Sequence, residues 1–201
     1  MRLGLFGGSF DPVHQGHLML AECCREQCRL DQVRFLPAGC APHKQTGNVA
    51  TGPQRIEMLQ LATAGHRAFT IDPFEIEQEG TTYTVKTLEY FAQTMPEAEL
   101  FFLVGADMLH DLPNWREAAR VCELAVFVSV RRSGEPEPDF TVLEGILSKE
   151  RIELFRQHQV QMPEMGLSST MIRRRVAEGG SIRYWVPRAV EEYIAMHGLY
   201  R

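Results

Sequence analysis

The segment Gly7-Gly8-Ser9-Phe10-Asp11-Pro12-Val13-His14-Gln15-Gly16-His17 holds residue types suited to phosphate chemistry. Two glycines let a backbone approach a ligand closely. A helix starting just after them offers N–H groups without helical partners, at the positive end of its dipole. His14 and His17 stand three apart at that helix start, so both can face one ligand. Imidazoles donate hydrogen bonds to phosphate oxygens and can stabilise charge during group transfer. The blander reading has one histidine capping the helix and the other packed inside. The string is neither G-x-G-x-x-G nor G-x-x-x-x-G-K-[ST], so a dinucleotide fingerprint and a P-loop are both absent.

A second anion-ready segment lies far along the chain. Leu167-Ser168-Ser169-Thr170-Met171-Ile172-Arg173 places hydroxyls ahead of a helix that should run to Glu178 and stop at Gly179-Gly180. Arg173 lies one turn from Ser169, so guanidinium, hydroxyls and helix N–H groups could converge on a polyphosphate. An ordinary N-cap followed by a solvated basic face of Arg173, Arg174 and Arg175 is the competing reading.

The elements that must position these residues alternate from the start. Leu3–Phe6, Val33–Leu36, Ala68–Ile71, Leu100–Val104 and Ala125–Val130 read as strands. Gly16–Arg29, Pro53–Ala64 and Thr82–Thr94 carry apolar residues at helical spacing. Strands separated by helices imply βαβ units and a mainly parallel sheet with right-handed crossovers, which binds ligands beyond the carboxyl ends of its strands. The fold class expected is therefore α/β, doubly wound, with helices on both faces. Ser133–Asp139, with its glycine and two prolines, reads as a long insertion loop inside one domain spanning residues 1–201.

Composition narrows the function. The chain has 201 residues and a net charge of −5, which gives no electrostatic grip on a nucleic-acid polymer or an anionic membrane. The longest apolar stretches, Leu100–Ala106 and Leu124–Val130, fall far short of the roughly 20 residues of a membrane helix. Leu3–Phe6 runs straight into glycines and Asp11, so it lacks the apolar core of a signal peptide, and a cytoplasmic protein is expected. Cys23, Cys24, Cys28, Cys40 and Cys122 are odd in number and form no C-x₂-C pair. They read as free thiols and not as a disulfide framework or a zinc site.

With its HxGH, GGSFDPVHQGH resembles the signature of the Rossmann-like nucleotidyltransferases, and SSTMIR resembles their second motif. Between and beyond these, FLPAGCAPHK (35–44), RIEML (55–59), TYTVKTL (82–88), FLVGADML (102–109) with Trp115, and YWVPRAVEEYIAMHGLY (184–200) are similar to segments of the bacterial nicotinate-nucleotide adenylyltransferases, in order along nearly the whole chain. The resemblance implies ATP over Gly7, Gly8, Ser9 and Phe10, with His14 and His17 at its phosphates and Ser168, Ser169 and Arg173 near the β- and γ-phosphates. Gly105 and Asp107 complete that set. It implies nicotinate mononucleotide between Lys44, Thr84, Asp107 and Trp115, with the indole stacked on the pyridine ring. Asp107 could hold ribose hydroxyls, or simply cap a helix.

The catalytic set so implied is His14, His17 and Arg173, with Mg²⁺ arriving on ATP and held by phosphates and water. The implied reaction makes nicotinate adenine dinucleotide and pyrophosphate in NAD biosynthesis. Two other adenylyltransferases, for nicotinamide mononucleotide or phosphopantetheine, are alternatives, as is a non-catalytic nucleotide sensor. Ala41 and Ser133 stand where the family often has proline.

Overall fold

The computed structural model describes residues 1–39, 49–106, 108–132 and 138–201. Its first strand, β1 (Arg2–Gly8), leads through a loop into α1 (Gln15–Gln27), which returns the chain to β2 (Gln32–Pro37). The pattern repeats with α2 (Gly52–Thr63) and β3 (Phe69–Ile71). A short α3 (Phe74–Glu77) and α4 (Thr84–Thr94) then lead to β4 (Glu99–Gly105). Next come α5 (Met108–Asp111), α6 (Ala118–Leu124), β5 (Val126–Arg132), α7 (Lys149–Gln157), β6 (Gln159–Met162), α8 (Ser169–Ala177) and α9 (Arg188–Met196).

The strands form one sheet in the order β3-β2-β1-β4-β5-β6, and every pairing is parallel. Leu3 of β1 faces Gln32 of β2 on one side and Leu100 of β4 on the other. The chain winds outward from β1 to β3, then crosses back to β4 and winds outward the other way. Beyond the carboxyl ends of β1 and β4 the crossovers diverge to opposite faces, leaving a crevice. After Arg2 and Glu99 at their starts, both strands carry no charged or polar side chain, as suits a sheet covered on both faces, and Leu3, Leu5 and Phe101 have no exposed surface.

All five expected strands are present, each within a few residues of its apolar run. β6 is the strand that the sequence did not announce. Its Gln159-Val160-Gln161-Met162 alternates only two buried side chains with two glutamines, too short a period to read, and pairing with β5 defines it. α7 was equally quiet; Ser148 caps it by accepting from the Arg151 N–H, and Ile152 and Phe155 are its buried residues. Residues 133–137 of the expected insertion loop lie outside the described set.

Cys24, Cys28 and Cys122 are buried and Cys23 is half-buried, all as free thiols. Burial pushes the thiol of Cys28 up to about 11 and that of Cys122 up to about 12, so both remain protonated packing groups at neutral pH. Cys40 lies outside the described residues. Among the described residues no helix is long and apolar enough to cross a membrane.

Candidate active site

The loop after β1 is shaped by its own rings. Phe10 has a φ of +48°, in the left-handed region that side chains avoid, yet it is 1% exposed. Its ring packs against Phe6 at 5.3 Å, Phe35 at 5.6 Å and the edge of His17 at 5.0 Å. A Cβ on Gly8 would stand 2.8 Å from the same ring, so only glycine fits there. The ring belongs to the core, so any contact of Phe10 with a nucleotide would be made by its main chain.

Asp11, the next residue, is a carboxyl group 2% exposed. Its Oδ2 accepts from the Val49 N–H at 2.8 Å, and its Oδ1 accepts from the Ala50 N–H at 3.1 Å and the Tyr200 hydroxyl at 2.7 Å. Beside it, the buried Arg55 donates through Nη1 to the Ser9 carbonyl at 2.8 Å. Burial lowers the Arg55 pKa, and the nearby Asp11 works against that shift. These buried polar groups tie together three distant parts of the chain, with the Arg55 Nε left without a hydrogen-bond partner among the described residues. Asp11, Arg55 and Tyr200 were not among the expected site residues. All three lie inside the segments that resemble the family, and Arg55 carries a further signal as a charged residue three and four positions from Met58 and Leu59 on the buried side of a helix.

His14 is the N-cap of α1 and is buried. Its ring lies on that of His17 with centroids 3.7 Å apart and an interplanar angle of 24°. The backbone N–H of His14 donates to His17 Nδ1 at 3.2 Å, so the neutral His17 ring carries its proton on Nε2. Burial, then the neighbouring His14, hold the His17 pKa well below 6.5. His17 is thus a neutral ring offering one N–H. The capping reading holds for His14, and the same contact that closes the cap fixes the His17 ring.

The second motif meets the first. Ser168 caps α8 by accepting from the Met171 N–H at 3.2 Å, and the Ser169 hydroxyl donates to the Pro12 carbonyl at 2.9 Å. Arg173 donates through Nη1 to the Asp11 carbonyl at 2.7 Å and through Nη2 to Thr170 Oγ1 at 3.3 Å. Ser168, Ser169 and Arg173 are therefore gathered at the loop of His14 and His17. In this structure the Ser169 hydroxyl gives its proton to a protein group, while Ser168 only accepts, so a phosphate arriving there could meet the Ser168 O–H together with main-chain N–H groups and the guanidinium.

Beside this polar corner, at the ends of β1 and β4, is a cavity of about 510 Å³ lined by Gly7, Gly8, Gly105, Thr84, Trp115 and Glu75 among others. Trp115 stands edge-on to Phe102 at 6.0 Å and Phe127 at 5.9 Å, which fixes its ring plane. Thr84 is the first residue of α4, where N–H groups have no partner within the helix. Trp115 and Arg116 also line this cavity, and the Trp115 N–H is already given to the Leu112 carbonyl at 3.1 Å. The Arg116 guanidinium lies over the Tyr83 ring at 4.7 Å. Glu75 accepts from the Thr87 hydroxyl at 2.8 Å, and burial raises its pKa against that bond. The chain comes so close at this wall that a Cβ on Gly39 would lie 2.2 Å from the Glu75 carbonyl oxygen. Lys44 and Asp107, expected at this nucleotide site, lie outside the described residues.

Residues 5–175 match the cytidylyltransferase-like family. A Thermus thermophilus protein named "Probable nicotinate-nucleotide adenylyltransferase" is 47% identical over 201 residues, covering 100% of both chains. One of the same name from Rhodopirellula baltica is 41% identical, covering 99% of this chain and 93% of its own. The fold is also that of the Plasmodium falciparum nicotinic acid mononucleotide adenylyltransferase complexed with NaAD, with a TM-score of 0.73 and 16% identity, covering 99% of this chain and 97% of that one. With the HxGH loop, the SSTMIR helix and the switch-point crevice all in place, this chain belongs to the cytidylyltransferase-like family and, within it, to the nicotinate-nucleotide adenylyltransferases.

Proposed function

We propose that this chain acts as one catalytic domain that joins the adenylyl group of ATP to nicotinate mononucleotide in NAD biosynthesis. The 5′-phosphate of the mononucleotide attacks the α-phosphorus of ATP in line. A new P–O bond forms, the α–β bridge breaks, and pyrophosphate leaves with the electron pair. Such a transfer asks for positioning and charge neutralisation more than for a protein nucleophile. The convergence of Ser169 and Arg173 on the loop of His14 and His17 supports this reading, because it brings together two helix starts suited to anions on the loop whose Gly7 and Gly8 line the neighbouring cavity.

In this reading ATP lies over Gly7, Gly8, Ser9 and Gly105. His14, the Nε2–H of His17 and the Arg173 fork stand at its phosphates, and Asp107 stands near the ribose. Developing charge on the departing oxygens is met by donors already fixed before the substrate arrives. Nicotinate mononucleotide occupies the cavity, with its ring against Trp115, its carboxylate toward the N–H groups at the start of α4, and its phosphate toward Lys44. Mg²⁺ neutralises the triphosphate and enters as part of its complex. In this reading phosphate oxygens and water would supply most of its ligands, and the Asp11 carboxylate is engaged by three donors of the protein. The absence of a long apolar helix among the described residues is compatible with work in the cytoplasm.

Purified protein with Mg·ATP and nicotinate mononucleotide should release pyrophosphate and form the acid dinucleotide, and should do neither with ATP alone. Pyrophosphate release that needs phosphopantetheine instead, or nucleotide binding with no turnover of any pyridine nucleotide, would refute the assignment.

A further inference from the structure

Asp11 links two levels of the site within one residue. Its side chain is held by Val49, Ala50 and Tyr200, and its main-chain carbonyl is where Arg173 docks. Three residues later comes His14, whose ring lies on His17. A shift of the Asp11 carboxylate therefore moves the Arg173 anchor and the N-cap of α1 together.

Of the two donors on Oδ1, the Tyr200 hydroxyl is the nearer, at 2.7 Å against 3.1 Å for Ala50. Tyr200 is 7% exposed and has a φ of +64°, a conformation a tyrosine keeps only when its surroundings impose it. The turn just before it is closed by the Gly198 N–H to the Ala195 carbonyl and the Leu199 N–H to the Ile194 carbonyl. The same tail reaches the loop a second time, where the Gln15 N–H donates to the Trp185 carbonyl at 3.0 Å. The strained end of the tail is thus aimed at the one carboxylate inside the phosphate loop.

We infer that Tyr200 is a positioning residue for ATP: its hydroxyl holds the Asp11 side chain so that Arg173 and the paired histidines stand ready for the triphosphate. A merely structural tail would behave differently. Tyr193 on α9 supplies the control, since its hydroxyl donates to Glu57 on α2 and ties the tail to the body without touching the loop. This inference rests on the reading that ATP lies over the first loop, so its test needs one readout with nucleotide and one without.

The test compares the parent with Tyr200→Phe, Tyr193→Phe, Asp11→Asn and the double variant Asp11→Asn/Tyr200→Phe. Equilibrium binding of ATP, the imidazole resonances of His14 and His17 in ligand-free protein, and Tm are measured for each. Losing one buried hydroxyl bond should weaken ATP binding roughly tenfold in Tyr200→Phe, while KM for nicotinate mononucleotide stays within about twofold. The histidine resonances should move in Tyr200→Phe and stay put in Tyr193→Phe, although both variants lose a tail hydroxyl. The double variant should bind ATP no more weakly than Asp11→Asn alone, because the two groups act through one bond. ATP affinity unchanged in Tyr200→Phe, an equal loss in Tyr193→Phe, or losses that multiply in the double variant would overturn the inference. A parent that binds no ATP, with resonances that still move in Tyr200→Phe, would overturn the placement of ATP and leave the positioning of the loop standing.

Discussion

Around the starts of α1 and α8, polar groups from four distant parts of the chain are bound to one another. The cavity beside them is walled largely by rings and glycine backbone, with Trp115, Phe102, Gly7 and Gly105 on its surface. The two regions meet at Gly8 yet solve different problems. In the proposed reaction the first region would take the triphosphate, which brings its own charge and is best met by donors held still before it comes. The second would take the pyridine ring, which a fixed indole can meet by its face and a few main-chain N–H groups by its edge. Rigidity on one side comes from hydrogen bonds, and on the other from packing.

The contrast breaks most sharply at His17. Replacing it with alanine removes a donor aimed at charge that grows in the transition state, so turnover should fall by roughly 10²–10³ with the fold retained. Single-turnover kinetics within threefold of the parent would take His17 off the catalytic side. Because its ring is held neutral, the turnover profile should show no loss of His17 function as the pH rises through 6.5.

Arg173→Ala should come next. A charge-assisted contact to phosphate is lost, so kcat/KM for ATP should drop roughly 10- to 100-fold while KM for the mononucleotide changes little. Lysine should restore only part, since a point charge replaces a planar fork. Equal damage to both substrates would erase the division between the two regions.

On the other side, Trp115→Ala should raise KM for nicotinate mononucleotide roughly tenfold and spare ATP, because the ring loses its stacking face. The parent should prefer the acid to nicotinamide mononucleotide by about 10²-fold or more, since an amide NH₂ would face donors with no acceptor. That preference should survive Arg116→Ala, whose guanidinium is engaged over Tyr83, and shrink in Trp115→Ala. Equal use of acid and amide by the parent would leave adenylyl transfer standing and remove the edge recognition.

The smallest effect expected is at Glu75. Burial favours its neutral form, so the folded protein keeps this proton to a higher pH than the unfolded chain does, and stability is lost as pH rises between the two values. Glu75→Gln can still accept from Thr87 and removes that loss. Tm should match the parent in acid and exceed it by roughly 1–3 °C at neutral pH. A variant less stable than the parent at neutral pH would mean that the carboxylate is ionised and favourable where it sits.

Much of the fold was legible because its strands are continuous apolar runs and its helices have caps and glycine stops, as α8 has Ser168 before it and Gly179 after it. The edge strand β6 was hidden, since half of its four side chains face away from the core. The helix starts of α1 and α8 were legible for the same local reason, since caps and hydroxyls announce themselves within a few residues. Asp11, Arg55 and Tyr200 were not, because a buried polar residue is explained only by partners, and theirs lie 189, 46 and 38 or 39 positions away.

By itself, then, the sequence determined which segments become strand or helix and which helix starts can take an anion. These depend on backbone preferences and periodic burial acting over one or two turns. Only the tertiary structure decided that Ser169 and Arg173 would close on Pro12 and Asp11, 157 and 162 residues away. It also decided that the Phe10 ring would face inward and that the Trp115 N–H would already be taken. Those outcomes follow from the order of strands in the sheet and from competition for buried hydrogen-bond partners, which no local pattern encodes.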